Sequence, residues 1–175
     1  MTAAAMHEPV MELIRASMDP AGRHVTLRKD HPACQVVIRA AKADLTAGGT
    51  ENVNRLAVGA GVAAAGLTAL LAEHRGLEPG EFVDQIDATP IPGPGVSPGV
   101  VEMLRSLLTG AAGMRQTAEL VVRMPRDDEE GYYDLIVDLG DYAAACTDLL
   151  NTLGVSGTED TLAELDGMLR GFYGA

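Results

Sequence analysis

Thr117-Ala-Glu-Leu-Val-Val-Arg-Met-Pro-Arg-Asp-Asp-Glu-Glu-Gly-Tyr-Tyr-Asp-Leu-Ile-Val-Asp-Leu139 is the stretch on which the fold class turns. Ala118, Leu120, Val122 and Met124 alternate with Thr117, Glu119 and Arg123. Tyr133, Leu135, Val137 and Leu139 alternate with Asp134 and Asp138. Apolar residues two apart share one face of a strand. A turn from Pro125 to Gly131, carrying Asp127, Asp128, Glu129 and Glu130, separates the two runs. The pattern therefore predicts a β-hairpin. The competing reading is a helix from 132 onward, with Leu135, Ile136, Leu139, Tyr142, Cys146 and Leu149 on one face. The β-branched content favours the hairpin, and so does the fresh helix start offered by Gly140-Asp141.

Downstream, a helix is expected from Tyr142 to Leu153, closed by Gly154. Thr158-Glu-Asp-Thr161 then opens a last helix with Leu162, Leu165, Leu169 and Phe172 as its apolar stripe. Upstream, Ser97 and Pro98 start a helix whose core face is Val100, Val101, Leu104, Leu107 and Leu108. Four prolines between Ala88 and Gly99 exclude a regular ladder and give one candidate subdomain boundary, 88–99. A short helix is expected from Pro79, and a long one from Thr50 to about His74. Asp30 and Pro32 predict a further helix start, with Ala33, Val36, Val37, Ala40, Ala41 and Leu45 facing the core. Residues 24–28 read as a short strand and residues 8–18 as a helix. The expected fold is a single α+β domain over 1–175. It is mainly helical, with six or seven helices packed against a small antiparallel sheet. An all-α bundle is the alternative.

The formal net charge is −12, and it is uneven. Residues 1–47 hold six Arg and Lys against five Asp and Glu, while residues 127–175 hold twelve acids against Arg170 alone. A field of that sign repels phosphate backbones, so nucleic acid is not an expected partner. The acidic third suits a basic protein surface or the basic half of a second copy. Asp127, Asp128, Glu129 and Glu130 are its densest run and the candidate interaction residues. Aromatics make up 3% of the chain, so any interface must rest on Leu, Met and Arg. The first residues show no basic stretch followed by an apolar one. The expectation is a reducing cytoplasm with Cys34 and Cys146 as free thiols. Abundant Ala, Gly and Arg suggest a high-GC bacterial genome.

Gly59-x-Gly61-x-x-Ala64 matches the dinucleotide fingerprint, in which glycines let the backbone approach a pyrophosphate at a helix N-terminus. Asp84 or Asp87 would be its acid. No convincing strand precedes Gly59, and the chain lacks repeated βα units. Leu56 to Ala72 carries no charge, but it is short and rich in Ala and Gly for a bilayer span. A buried central helix, or a dimer seam, explains it better. His31 and Cys34 stand one helical turn apart, which admits a thiol nucleophile activated by an imidazole. Zinc needs three or four ligands, and His7, His24, His74 and Cys146 show no paired spacing. Asp134 and Asp138 would meet on a helix and could then hold a metal, but would face solvent on a strand. The acidic run lacks calcium-loop spacing. No metal and no cofactor are expected, and no GxSxG, Walker A or HExxH pattern occurs. Three functions follow in order. The first is a non-enzymatic interaction or regulatory module that self-associates. The second is a small enzyme or ligand-binding protein with a dispersed site near His31 and Cys34. The third is a dinucleotide binder using residues 59–64.

Overall fold

A computed structural model describes residues 5–88 and 96–174. The candidate boundary at 88–99 lies outside the described residues over 89–95. Eight α-helices account for most of the rest: α1 Glu8–Met18, α2 Pro32–Ala47, α3 Glu51–His74, α4 Pro79–Ala88, α5 Pro98–Leu108, α6 Ala111–Asp127, α7 Glu129–Thr152 and α8 Thr158–Gly174. Among the described residues there is no strand, so the all-α alternative replaces the α+β expectation.

The hairpin is the main correction. Its first arm lies within α6 and its second within α7. Along α6 the buried positions are Gly113, Thr117, Leu120 and Val121, while Val122 is exposed. Along α7, Leu135 and Ile136 are buried side by side, then Leu139, Tyr142, Ala143, Cys146 and Leu150. Those intervals of three and four belong to a helix. The acidic turn is a junction between two helices. Asp128 is the N-cap of α7, its Oδ1 accepting the Gly131 N–H at 2.9 Å. Gly140 does not start a new helix. It sits inside α7, where an added Cβ would lie 2.8 Å from Leu13 Cγ, so it permits close packing of α7 on α1.

The strand expected at 24–28 is also absent. Two short 3-10 turns, Pro20–His24 and Arg28–Asp30, lead into α2. The cap of α2 is His31, not Asp30, and its Nδ1 accepts the Ala33 N–H at 3.1 Å. Pro32 explains the shift. The residue before a proline is held extended, as an N-cap must be, and His31 has φ −62° and ψ 134°.

α3 touches each of the other seven helices. α1, α2 and α7 surround one side, and α4, α5 and α6 cover the other. The core is one cluster fed by all eight helices. The scarce tyrosines hold it together by their polar tips. Tyr132 donates to Asn54 Oδ1 at 2.8 Å, Tyr173 donates to the Arg55 carbonyl at 2.6 Å, and the Tyr142 hydroxyl meets Thr68 Oγ1 at 2.7 Å. All three bonds run into α3 from α7 or α8.

Candidate interaction groove

α2 carries more apolar residues than one face can hold. Ala33, Val36 and Val37 are buried against the core. Cys34, Ile38, Ala41 and Leu45 form a second stripe at intervals of four, three and four, which is the spacing of a coiled-coil seam. That stripe is incompletely covered. Leu45, expected to face the core, is 85% exposed, and the other three are half-buried. Beside it runs the N-terminal half of α7. Together they bound a groove of about 320 Å³ lined by Cys34, Val37, Ile38, Ala41, Leu45 and Val137, with Tyr133 on the α7 wall. Lys42, Glu129 and Asp134 give it charged edges.

The charged residues of α7 in the groove wall are both acids, Glu129 and Asp134. α7 bears Glu129, Glu130, Asp134, Asp138, Asp141 and Asp148 and no Lys or Arg. Of the expected interaction residues, only Glu129 lines the groove. Glu129 also accepts from the Tyr133 hydroxyl at 2.7 Å. Burial, then this bond to a carboxylate, push the Tyr133 phenol up to about 12. Asp127 lies 4.0 Å from Arg123. The acidic run thus serves the start of α7 as well as its surface, since negative charge is stabilised at a helix N-terminus.

At the other end, Arg28 Nη2 lies 3.2 Å from Asp134 Oδ1 and 3.7 Å from Asp138 Oδ1. The two aspartates do share a helical face, but a guanidinium stands between them where a cation would sit. Burial raises the Asp138 carboxyl above the usual aspartate range, against a Ser97 hydrogen bond and the Arg28 charge. Burial likewise raises the Cys34 thiol, opposed by the hydrogen bond and charge of Arg28. A nucleophilic cysteine needs the opposite shift. His31 spends Nδ1 on its cap, so its bond to Ala33 and the environment of Cys34 both work against an activated pair.

The chain matches no protein-family model, no curated protein and no solved structure. Function must therefore be argued from surfaces and side chains.

Gly59, Gly61 and Ala64 lie inside α3, two or more turns beyond its start at Glu51. In the dinucleotide fingerprint the glycines lead into the helix; here they are packed within it. An added Cβ at Gly59 would fall 2.1 Å from Tyr173 Oη and 2.6 Å from Val10 Cγ2, and one at Gly61 3.0 Å from Leu107 Cδ1. α3 is long and apolar enough to cross a membrane by length and composition, and 67% of its apolar window is buried inside the fold. Cys146 is buried on α7, where desolvation pushes its thiol up to about 12. Buried His7 places Nε2 3.0 Å from Asp166 Oδ1, which clasps α1 to α8. A larger hollow of about 580 Å³ lies between α5 and α6. Most of its charges are paired, Arg105 with Asp87 at 2.9 Å and with nearby Asp84 at 3.0 Å, and Arg123 with Glu102 at 4.0 Å.

Sequence reasoning missed Arg28 and Ile38. Ile38 carried a readable signal, because it completes the seam spacing from Cys34 to Leu45. Arg28 carried none, since only the folded 3-10 turn brings it to α7.

Proposed function

We propose that this chain is a non-enzymatic protein-interaction module that associates with itself, and that the α2–α7 groove is its docking surface. The observation that carries this reading is the open seam of α2, with Leu45 85% exposed, beside an α7 whose charged residues are all acids, only Asp134 and Asp138 of them being met by Arg28 at this groove. An apolar stripe at helical spacing in a groove is how an amphipathic helix is received. The acidic edge favours an occupant with basic flanks, and charge of this kind selects partners more than it adds affinity. The alternatives at His31 and Cys34 and at Gly59, Gly61 and Ala64 have less support, for the reasons of geometry given above.

Sedimentation velocity over a concentration series tests this reading. The wild-type chain is expected to shift to a larger species, and Leu45→Asp to remain at the monomer value. Leu45 is too exposed to support the core, so at concentrations below the association range this variant should stay folded and melt cooperatively, a few degrees lower at most for the acid placed in the last turn of α2. Association that persists undiminished in Leu45→Asp removes the groove as the docking surface.

A further inference from the structure

Building on that reading, we infer that the occupant of the groove is α2 of a second copy, lying antiparallel to the first about a two-fold axis midway between Arg39 and Ala40. The seam is symmetric about that point. Cys34 and Leu45 are equidistant from it, and so are Ile38 and Ala41. An antiparallel pair therefore sets Cys34 against Leu45 of the second copy and Ile38 against its Ala41. Each contact matches a large side chain with a small one, the arrangement that fills a helix interface without voids or clashes. A parallel pair would set Leu45 against Leu45 and Ile38 against Ile38, and leave Cys34 and Ala41 facing their like. A two-fold interface requires such self-complementarity.

Charge selects the same direction. α2 carries Arg39 and Lys42, and its one acid, Asp44, is buried. In the antiparallel register Lys42 of the second copy comes level with Val37. That is the part of the groove walled by Asp134, with Asp138 on the next turn of α7; Arg28 lies 3.2 and 3.7 Å from these two carboxylates and offsets one of their two charges, so Lys42 would meet the one that is left. In the parallel register the two Lys42 side chains would face one another. The opposed macrodipoles of the two α2 helices favour the antiparallel pair as well. One helix from each copy, plus the α7 walls, makes a small interface, so association in the roughly micromolar range is expected.

The test is disulfide trapping of the full chain with diamide, which takes up the two electrons and two protons released by a thiol pair. Leu45→Cys is expected to give a covalent dimer, through Cys34 of one copy and the introduced thiol of the other. Wild type should give none, because the two Cys34 side chains would be eleven residues apart along the axis, roughly 16 Å. Leu45→Cys combined with Cys34→Ser should lose the link. Three results overturn the inference. A wild-type chain that cross-links through Cys34 is parallel. A link that survives Cys34→Ser joins the introduced thiols to each other. A sedimenting dimer that never cross-links in Leu45→Cys uses another register or occupant, and then the groove itself is still judged by Leu45→Asp.

Discussion

Asp44 shows what a single residue does in this fold and why it escapes a linear reading. It stands in the last turn of α2, where the helix's own carbonyl end disfavours an acid. The short link Gly48-Gly49-Thr50 turns the chain so that the start of α3 comes over it. Its Oδ1 accepts from Asn52 N–H and Asn52 Nδ2, and its Oδ2 from Val53 N–H, each at 2.9 Å. Thr50, the residue from which this helix was expected to run, makes no capping bond, and the cap comes from the neighbouring helix instead. The unfavourable position of Asp44 was the only signal in the sequence, and it is a weak one. The carboxylate is buried at 4% exposure, so deleting it strands three donors at once. Asp44→Ala is expected to lower stability by about 2–3 kcal/mol, more than an exposed cap and less than three full charged bonds. Urea unfolding reads this as a lower midpoint at unchanged slope. A midpoint equal to wild type would mean that water replaces the cap without loss.

At the scale of elements, α6 and α7 explain why a hairpin was read from helical residues. A helix that is buried over a broad face contains alternating subsets by necessity. Tyr133, Leu135, Val137 and Leu139 are such a subset, and only Ile136, fully buried between two of them, marks the true period. Val122, 54% exposed, breaks the other arm. β-branched residues lean towards strands, but packing overrides that preference. α3 was easier, because a stretch rich in Ala and Gly with no charge has few other places to go than a core. Its glycines make a prediction that separates packing from ligand binding. Gly59→Ala gains about 1 kcal/mol of helix propensity. Against that, Val10 is fully buried and cannot retreat, and Tyr173 must give up its bond to the Arg55 carbonyl. Overpacking of about 1–3 kcal/mol plus a lost hydrogen bond of about 1 kcal/mol outweighs the gain. The melting temperature of Gly59→Ala should fall by several degrees. Gly66→Ala meets only the flexible end of Met168, at 3.0 Å from Sδ, and should melt at or above wild type. Equal melting of the two variants would show that the close approach at Gly59 is not held rigidly.

For the whole molecule, the sequence made the helical content and the charge asymmetry legible, but not the contacts between distant segments. The groove needs α2 and α7 side by side, and nothing local to either helix announces the other. The same assembly sets two electrostatic effects against each other when copies meet. Each copy carries a formal charge of −12, so approach is opposed at long range. Lys42 beside Asp134 and Asp138 of a second copy acts only at contact. Raising the salt from about 0.01 to 0.15 M shortens the screening length from about 30 to about 8 Å. That change removes most of the repulsion between whole copies, while the rim pairs lose less and the apolar seam is not weakened. Self-association is therefore expected to tighten with salt over this range, by roughly three- to tenfold. Sedimentation equilibrium at the two salt concentrations measures it. A constant that weakens instead would mean that ion pairs at the rim, and not Ile38, Ala41 and Leu45 in the seam, carry the affinity. Lys42→Ala would then be the variant to abolish the dimer, where the seam reading makes it Leu45→Asp.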